Sequence, residues 1–485
     1  MIDRSELFIG GMFVPPAGRE RLEVVSPSTE EPIGSVPRAE TADVDRAVAA
    51  ARDAFDRGPW PRTQPAERAD ALRRVSKHLG ARGEELAELI TAEMGAPLSF
   101  CRVAHTGTTL LDYYADVGSS APVEEPRRGM MAPLLLRREP VGVAALIIPW
   151  NAPMGLCLGK LAPALMAGCT TVVKPAPETP LDAYVLAEAV IAAELPAGVV
   201  NIVAADRDVG EHLVRHPGVD KVSFTGSTAV GKRIMSLCGE HVKRVTLELG
   251  GKSACILLED ADLAAALPFL VMGATLNNGE ACIALTRVLA PRGRYDEVVD
   301  ALAGAMKALS VGDPFDPATQ IGPLVSARQR ERVEGYVADG RRAGATVVVG
   351  GGRPRGLDRG WYVEPTLFRD VDNSMKIARE EIFGPVVCVI PYGSVEEAVA
   401  IANDSPYGLC GAVWTRDLAR GVDVARQVRT GTFSVNGFTW DLAAPFGGFK
   451  QSGLGREWGP EGLADYQELK TVALPPGARA EEFVT

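Results

Sequence analysis

The feature that most constrains the fold is a series of short apolar runs between residues 141 and 250, each followed by a turn. The runs read VGVAALIIP, TTVVKP, GVVNIV, KVSFTG and RVTLELGG, and they are rich in β-branched residues without polar alternation. This composition is typical of parallel strands buried on both faces. Helical stretches such as LDAYVLAEAVIAAEL and STAVGKRIMSLCG lie between them. The alternation predicts right-handed crossovers and a doubly wound α/β sheet.

A second α/β unit is predicted after about Gly251. Its helix candidates are ADLAAALPFLVMGATL, YDEVVDALAGAMKAL and SARQRERVEGYVADGRRAG, and its strand candidates are ATVVVGG, GPVVCVIPY, CGAVWT and GTFSVNG. Ligands of open α/β sheets bind beyond the carboxyl ends of the strands. Functional residues are therefore expected in the loops that follow the strands.

The remaining segments flank these two units. TADVDRAVAAARDAF, with Thr41 as the expected N-cap, and AERADALRRVSKHLGARGEELAELITAEMG have the apolar spacing of helices. An exposed hairpin is indicated by the segment EEPRRGMMAPLLLRREP. It either packs against a second subunit or is a plain surface hairpin. A last strand is expected near LKTVAL.

Length and composition exclude several classes of function. A chain of 485 residues predicts two or three domains. The net charge of −11 argues against nucleic acid and anionic membrane as partners, and no apolar run approaches the ~18 residues of a membrane span. The Cys and His residues form no metal-binding spacing, so no metal is expected, and free thiols indicate a reducing, cytoplasmic environment.

The loop SFTGSTAVGKRI begins like the phosphate-binding loop of an ATPase. Gly226 and Gly231 are five residues apart, and Lys232 follows. A P-loop needs Ser or Thr next, to bind magnesium, but this chain has Arg233. The remaining pattern of strand, Gly-Ser turn and helix N-terminus favours a phosphate or pyrophosphate. An ordinary tight turn is the alternative at this point.

One cysteine differs from the others in its surroundings. Cys282 lies in LNNGEACIALTR, where amides, a glycine and a carboxylate interrupt the apolar pattern. A polar loop suits a thiol that a substrate must reach. Apart from the ambiguous Cys101, the others lie in apolar or small-residue runs, which is typical of buried structural cysteines.

Two further polar residues end apolar strands. Glu248 precedes a Gly-Gly break in VTLELGGKS, and burial would raise the pKa of its carboxyl into the range of a general base. Asn151, in IIPWNAPM, carries an amide that can donate to a developing oxyanion. Taken singly, Glu248 could also cap the next turn, and Asn151 could shape a proline-rich turn.

Eight motifs in a fixed order carry a resemblance to a known family. They are PWNAP, KPAPETP, FTGSTAVG, LELGGKS, GEAC, EEIFGPV, PFGGFKQSG and GRE. Through them the chain resembles the aldehyde dehydrogenase superfamily from about residue 5 to 475. The resemblance implies an α/β fold with a Rossmann-like cofactor domain, an α/β catalytic domain and a small β oligomerisation element. The Gly226 loop then resembles the turn that approaches the pyrophosphate of a dinucleotide.

The resemblance implies covalent catalysis. In this family the thiolate at the position of Cys282 attacks the aldehyde, and the Asn151 amide with the Cys282 backbone N–H holds the oxyanion. Hydride transfer to nicotinamide leaves a thioester, which water activated by Glu248 hydrolyses. Glu457, in GREWG, resembles a residue implicated in secondary proton transfer. CoA-acylating relatives typically lack the carboxylate at position 248, so CoA acylation is an alternative that Glu248 disfavours.

The resemblance also implies a nicotinamide dinucleotide. Lys174 would contact the adenine ribose with Trp150 nearby, and the other implied cofactor residues are Glu178, Gly226, Ser227, Gly231, Leu249, Glu381 and Phe383. Gly226 and Ser227 would contact the phosphates, and Glu381 and Phe383 would contact the nicotinamide half. Many NAD-using relatives have Glu three residues after the lysine, where this chain has Pro177 and then Glu178. NAD is favoured, and NADP remains the alternative.

The substrate is inferred from a small set of pocket residues. Semialdehyde relatives often carry Arg immediately before Lys160, where this chain has Gly159. The pocket residues expected from the resemblance are small or aromatic: Ala152, Gly159, Phe438, Trp440 and Phe446. Such a set without a cationic anchor predicts a roomy apolar site for a medium-sized aliphatic, terpenoid or aromatic aldehyde.

The resemblance finally divides the chain into domains. Residues 1–118 and 141–250 would form the dinucleotide-binding domain, and 251–450 the catalytic domain. Residues 119–140 and 460–485 would form the oligomerisation element and tail. A homodimer or homotetramer is expected.

Overall fold

The N-terminal part of the chain supplies a helical layer and the edges of several sheets. The computed structural model describes residues 1–104 and 107–483. The first strands are β1 (Ile2–Asp3), β2 (Leu7–Ile9), β3 (Met12–Val14), β4 (Arg21–Val25), β5 (Pro32–Pro37), β6 (Glu124–Arg128) and β7 (Pro133–Pro140). The first helices are α1 (Thr41–Asp56), α2 (Pro65–Gly80), α3 (Gly83–Met94), α4 (Leu98–Ala104) and α5 (Thr108–Ser120). Glu40, rather than the expected Thr41, is the N-cap of α1, because it forms a capping box with Asp43.

The apolar runs after residue 141 form the parallel strands of one sheet. They are β8 (Val143–Ile147), β9 (Thr170–Lys174), β10 (Val200–Ile202), β11 (Lys221–Thr225) and β12 (Arg244–Glu248). The connecting helices are α6 (Pro153–Ala167), α7 (Asp182–Ala192), α8 (Arg207–Arg215) and α9 (Thr228–Gly239). The spatial order is β12-β11-β8-β9-β10, with β2 and β3 beyond β10. Because the order reverses beside β8, the sheet is doubly wound, and the prediction is confirmed.

Two of these strands differ from the expected runs without polar alternation. In KVSFT of β11 and RVTLE of β12, every second residue is polar. The apolar side chains between them, Val222, Phe224 and Leu247, pack into a core shared with α1, α8 and α9. The polar side chains therefore lie on the opposite face of the sheet.

The second α/β unit also forms as expected. Its strands are β13 (Ala254–Leu257), β14 (Arg287–Pro291), β15 (Thr346–Val349), β16 (Thr366–Arg369), β17 (Val386–Tyr392), β18 (Cys410–Trp414) and β19 (Thr432–Val435). Its helices are α10 (Leu263–Thr275), α11 (Tyr295–Lys307), α12 (Ala327–Arg342), α13 (Lys376–Arg379), α14 (Val395–Asn403) and α15 (Leu418–Gln427). Among the described residues the sheet order is β15-β16-β17-β14-β13-β18-β19. Only β15 is antiparallel to its neighbour.

The C-terminal segment returns to the first sheet. It comprises β20 (Gly453–Leu454), α16 (Gly459–Ala464) and β21 (Gln467–Ala473). β20 pairs with β12 and aligns Gly453 with Glu248. β21 pairs with β7, so the expected hairpin and last strand form one three-stranded sheet. Within residues 1–104 and 107–483, no helix combines the length and the apolar character needed to cross a membrane.

Candidate active site

The cleft that holds the candidate site opens between the carboxyl ends of the strands of the first sheet and the segments that precede β14 and β17 of the second sheet. It has a volume of about 380 Å³. The predicted site residues that line it are Trp150, Asn151, Gly226, Ser227, Glu248, Leu249, Cys282, Glu381 and Phe383. Several of them follow β8, β11 and β12 directly, which is where open α/β sheets bind ligands.

A polar turn presents Cys282 to the cleft. After α10, Asn277 and Asn278 adopt left-handed backbone angles, with φ of 54° and 59°, which Asn tolerates better than most residues. The Asn278 amide donates to the carbonyl oxygens of Gly95 (3.0 Å) and Pro323 (2.9 Å). The amides that the sequence shows before Cys282 therefore fix the loop that carries it.

The same turn holds Asn151. The Asn277 amide donates to the Asn151 carbonyl oxygen at 2.7 Å and to the Glu280 carbonyl oxygen at 3.1 Å. The Asn151 amide also donates to the Glu280 carbonyl oxygen, at 3.0 Å. Asn151 and Cys282 are thus tied to one backbone segment and face one cleft, as an oxyanion donor and a nucleophile require.

Cys282 is partly exposed, whereas the other seven cysteines are buried. Burial of the thiol by the surrounding cleft raises its pKa well above the ordinary value, and the acidic groups of Glu381, Cys410 and Glu248 raise it further. The thiol is therefore protonated at neutral pH in this arrangement. A group that removes its proton, or a cation bound in the cleft, would activate it.

Glu248 is a buried carboxylate without a hydrogen-bond partner. The residue is 2% exposed, and both carboxyl oxygens lack a partner within the described structure. Burial, and then the negative charge of Glu457, raises the pKa of Glu248 well above its ordinary value. A carboxyl of this kind can accept a proton near neutral pH and is free to bind a water molecule.

Glu381 lies against the Gly-Gly break that follows Glu248. One of its oxygens accepts from the Gly251 backbone N–H at 2.9 Å. A Cβ at Gly250 would lie 2.4 Å from the other oxygen, so only glycine permits this approach. Burial raises the pKa of Glu381 to about 7. The Phe383 and Trp150 rings meet edge to face beside it at 5.3 Å.

The helix N-terminus after β11 opens into the cleft. Ser227 is the N-cap of α9, where its hydroxyl accepts from the Val230 N–H at 3.4 Å. The Gly226 N–H donates to the Glu248 carbonyl oxygen at 3.0 Å. Gly231 lies outside the lining, where it packs against Leu249. The turn therefore offers free N–H groups and a helix dipole at the cleft surface.

Lys174 and Glu178 lie outside the residues that line the cleft. The Lys174 ammonium is buried and donates to the carbonyl oxygens of Pro175 (2.9 Å) and Ala205 (2.6 Å). Burial lowers the pKa of Lys174 to about 8, although Glu178 and Asp206 act in the opposite direction. Glu178 contacts the exposed Arg328 at 3.5 Å. Two carboxylates, Glu178 and Asp206, therefore lie within electrostatic range of the buried Lys174 ammonium.

The expected substrate residues fall into two groups. Gly159 faces Trp458, because a Cβ at Gly159 would lie 3.2 Å from the indole nitrogen. Trp458 in turn lies 4.6 Å from the Phe446 ring, which packs near Cys282. Phe438 is buried in the core of the second unit, and Trp440 lines a separate cavity beside α10. Ala152 stands at the N-cap of α6.

The indole of Trp458 occupies the space that the small Gly159 leaves. Gly159, expected to contribute to a roomy pocket, therefore lies against an aromatic ring, and the size of the pocket stays a prediction. The sequence shows a tryptophan in GREWG that could fill such a space, but the order of the motifs along the chain does not reveal that Trp458 contacts Gly159. The α12 residues Gln329 and Arg332 were also missed, because their helix resembles an ordinary charged surface helix.

The fourth predicted catalytic residue, Glu457, lies behind the cleft rather than in its lining. It is 4% exposed and forms an ion pair with the fully buried Lys160. The Lys160 ammonium also donates to the Thr225 hydroxyl at 2.6 Å. Glu457 therefore connects to the cleft through Thr225 and through its electrostatic effect on Glu248.

Fold and site define a two-sheet α/β enzyme in which a partly exposed cysteine and a buried carboxylate face one cleft. The chain belongs to the aldehyde dehydrogenase family, whose model, "Aldehyde dehydrogenase family", matches residues 13–472. The predicted family and the predicted class of enzyme, an aldehyde-oxidising oxidoreductase, are confirmed.

Several named proteins are similar over nearly their whole length. Geranial dehydrogenase of Castellaniella defragrans is 51% identical over 476 residues, which cover 98% of this chain and 99% of the relative. An aldehyde dehydrogenase of Mycobacterium tuberculosis, solved with NAD+, is 49% identical with a TM-score of 0.97 and 99% coverage of each chain. A variant of aldehyde dehydrogenase C from Pseudomonas syringae, solved with NAD+ and octanal, is 42% identical with a TM-score of 0.94, covering 97% and 96%.

Proposed function

We propose that the protein oxidises an apolar aldehyde to the carboxylic acid with NAD+, through a thioester on Cys282 that water hydrolyses. The observation that carries the proposal is that Cys282, Asn151 and the unpartnered Glu248 line one cleft. A nucleophile, an oxyanion donor and a base are the groups that this chemistry requires.

The described residues fit a dinucleotide. Ser227 and Gly226 present the N-terminus of α9, which suits a pyrophosphate. Lys174 and Glu178 would hold the adenine ribose, and Trp150, Leu249, Glu381 and Phe383 would surround the nicotinamide half. When bound, NAD+ supplies a hydride acceptor. The carboxylates of Glu178 and Asp206 near Lys174 disfavour the 2′-phosphate of NADP, and both similar structures named above contain NAD+.

Each residue then has a defined task. The Cys282 thiol gives its proton to Glu248, which releases it to solvent, and the sulfur bonds to the aldehyde carbon. The resulting oxyanion accepts hydrogen bonds from the Asn151 amide and the Cys282 N–H. The Asn151 amide leaves the Glu280 carbonyl oxygen, which Asn277 still satisfies, to make this contact. In the hydrolysis of the thioester, Glu248 takes a proton from a water molecule as that water adds to the thioester carbon. The C–S bond breaks, and the acid leaves.

Hydrolysis is favoured over transfer to coenzyme A. No donor among the described residues bonds either oxygen of Glu248, and the raised pKa of its carboxyl suits a base that activates water. A Cβ at Gly447 would lie 2.7 Å from a Glu248 oxygen, so glycine at this position leaves space for the carboxyl.

The substrate we propose is a medium-sized aliphatic or terpenoid aldehyde. Support comes from the apolar contacts among Phe446, Trp458 and the Cys282 loop. Geranial dehydrogenase is the name of a relative that is 51% identical, and octanal is bound in a similar structure. We also propose that the sheet of β6, β7 and β21 joins subunits of a homodimer or homotetramer, and that the two large sheets mark the cofactor and catalytic domains.

An aldehyde panel with single-residue variants tests the function. Cys282→Ala should abolish turnover of octanal and geranial with NAD+. Glu248→Gln should retain a first-turnover burst of NADH and then release acid slowly. Succinic semialdehyde should have a lower kcat/KM than octanal. An unchanged steady-state rate in Glu248→Gln, or formation of acyl-CoA instead of acid, would contradict the proposal.

A further inference from the structure

The side chain of Glu280 belongs to the turn that presents Cys282 but lies outside the residues that line the cleft. It is fully buried and stands two positions before the cysteine. One carboxyl oxygen accepts from the Val325 backbone N–H at 3.1 Å, and the other has no partner within the described structure. Val325 directly precedes Ser326, the N-cap of α12. The side chain therefore joins the nucleophile turn, which we define as residues 276–282, to the start of α12.

The backbone of Glu280 holds the proposed oxyanion donor. Its carbonyl oxygen accepts from the Asn151 amide at 3.0 Å and from the Asn277 amide at 3.1 Å. One residue thus contacts Asn151 through its main chain and the start of α12 through its side chain. A shift of the nucleophile turn would therefore move Asn151 and Cys282 together.

Helix α12 in turn holds the segment that we propose to contact the nicotinamide, residues 381–385, which we call the nicotinamide loop. The Gln329 amide donates to the Phe383 carbonyl oxygen at 2.6 Å, and the Arg332 guanidinium donates to the Glu381 carbonyl oxygen at 2.6 Å. Displacement of α12 would therefore displace the nicotinamide loop.

The nucleophile turn and the nicotinamide loop also pack directly against each other. Gly279 has a φ of 74°, and a Cβ at this position would collide with the carbonyl group of Gly384. Because the two segments are this close, a small movement of either one changes the distance between Cys282 and the nicotinamide site.

The carboxyl of Glu280 is uncharged at neutral pH. Burial raises its pKa well above the ordinary 4.5, and the Val325 N–H acts in the opposite direction. A buried charge with one hydrogen bond and no counter-ion would be costly. The three α12 arginines bond elsewhere, to Glu178, to the Gly360 carbonyl oxygen and to the nicotinamide loop. The titratable groups on the elements packed around Glu280 are Cys282 on its own turn, Glu381 at the nicotinamide loop, Glu93 on α3, and Arg328, Arg330 and Arg332 on α12.

We propose that Glu280 is a positioning residue that fixes the nucleophile turn against the nicotinamide loop through its hydrogen bond to the start of α12. It acts as an uncharged acceptor and touches neither substrate nor cofactor. The inference rests on the proposed attack of Cys282 on the aldehyde. It extends that function, because hydride transfer requires the carbon bound to Cys282 and the nicotinamide to be held in one geometry.

Two substitutions separate the acceptor from the acid. Glu280→Gln keeps an uncharged acceptor for the Val325 N–H, whereas Glu280→Ala removes it. With octanal, Glu280→Ala should lower kcat about tenfold and raise KM for NAD+, because the turn and the loop both shift. Glu280→Gln should restore both constants to the wild-type values. Equal kinetics in the two variants would overturn the proposal.

Labelling of Cys282 reports on the turn without cofactor or turnover. Iodoacetamide should alkylate Cys282 faster in Glu280→Ala, because the loosened turn exposes the thiol, and at the wild-type rate in Glu280→Gln. Mass spectrometry of the labelled peptide measures the rate. Unchanged labelling in Glu280→Ala refutes the positioning role alone, whereas formation of NADH by Cys282→Ala would refute the proposed covalent mechanism.

The pH dependence of stability tests the uncharged state of Glu280. A carboxyl with a raised pKa in the fold keeps a proton that the unfolded chain releases above 4.5, so its contribution to stability falls as pH rises. Glutamine has no such proton. The Tm of Glu280→Gln should therefore rise relative to that of the wild type between about pH 5 and pH 8. A difference in Tm that is constant over this range would mean that Glu280 is ionised in the fold and would overturn the proposal.

An N-cap outside the cleft lining supplies the matched control. The Ser394 hydroxyl caps α14 by accepting from the Glu397 N–H at 3.3 Å. Ser394→Ala also removes an acceptor at a helix N-terminus, so it should lower Tm but leave KM for NAD+ and the labelling rate unchanged. Kinetic losses in Ser394→Ala equal to those in Glu280→Ala would assign both to general destabilisation. Should Glu280→Ala fail to fold, Glu280→Asp, whose shorter side chain withdraws the acceptor from Val325, takes its place with the same expected results.

Discussion

The side-chain amide of Asn277 donates a 2.7 Å hydrogen bond to the carbonyl oxygen of Asn151. This bond joins the two halves of the proposed oxyanion site, because Asn151 follows β8 of the first sheet and Asn277 precedes Cys282 in the second unit. Asn277 also satisfies the Glu280 carbonyl oxygen, which Asn151 must release when it binds an oxyanion.

Asn277→Ala should therefore lower kcat more than it lowers affinity. Without Asn277, the Asn151 carbonyl oxygen loses its donor and the Glu280 carbonyl oxygen depends on the Asn151 amide alone, so the amide is less free to turn to the oxyanion. We expect kcat to fall by about 10²-fold, as when an oxyanion donor is lost. Steady-state kinetics with octanal and thermal unfolding check this. A variant with normal kcat and only a lower Tm would assign Asn277 a purely structural role.

Gly159 and Trp458 give a prediction about pocket size. A Cβ at Gly159 would lie 3.2 Å from the Trp458 indole, so Gly159→Ala should displace the ring or cost about 1–3 kcal/mol of stability through overpacking. Trp458→Leu should enlarge the pocket and raise kcat/KM for bulky aldehydes relative to octanal. Gly239→Ala is the control, because a Cβ there meets no atom within 4 Å. Identical aldehyde selectivity in all three variants would remove Trp458 from the substrate site.

Lys252 gives a prediction about pH and stability. It is fully buried, its ammonium has no hydrogen-bond partner within the described residues, and burial lowers its pKa to about 8. Between pH 8 and the ordinary pKa of 10.5, the unfolded chain binds a proton at this lysine that the folded chain does not, so the free energy of unfolding rises with pH over this range. Below this range both states carry the charge, and the lysine destabilises the fold by the full cost of burying it. Above pH 10.5 that cost is gone. Lys252→Met should raise the free energy of unfolding at pH 7 by about 3 kcal/mol. The gain should vanish near pH 10.5 in denaturant titrations.

The strands of both sheets could be predicted because buried parallel strands are short apolar runs rich in β-branched residues, whereas the helices between them are not. β8 and β9 carry that signal clearly. KVSFT and RVTLE carried a second signal, alternate polar residues, which the β-branched content masked. A polar face buried in a sheet becomes apparent only when its partners are known. Those partners, Glu457 and Asp465, lie more than 200 residues further along the chain.

The site residues also fall into those that the local sequence pattern reveals and those that it does not. Cys282, Glu248 and Asn151 could be proposed because each is a polar residue at an interruption of an apolar pattern. Trp458 and Arg332 could not, because their importance depends on a contact. Arg332 donates to the backbone carbonyl oxygens of Glu381 and Ile382 from a helix some fifty positions earlier in the chain. Local pattern contains no information about such pairs.

The last prediction concerns the choice of dinucleotide. Glu178 and Asp206 both act on the Lys174 ammonium, and Glu178 also contacts Arg328. Lys174 and Glu178 would hold the adenine ribose, so the negative charges of Glu178 and Asp206 would repel a phosphate added to that ribose. Glu178→Gln keeps the shape of the side chain, removes one charge and frees Arg328 to meet an anion. We expect kcat/KM for NADP to rise about tenfold, which corresponds to 1.4 kcal/mol, with a smaller change for NAD.

Glu188→Gln is the matched control for this variant. Glu188 is also paired with arginines, Arg4 and Arg82, but it lies outside the cleft lining, so its replacement should leave the ratio of NAD to NADP use unchanged. Initial rates at subsaturating cofactor measure the ratio, and the effect should weaken as ionic strength rises, because exposed charges are screened. If Glu178→Gln weakens NAD binding without improving the use of NADP, Glu178 acts by holding the ribose hydroxyls and not by repelling phosphate.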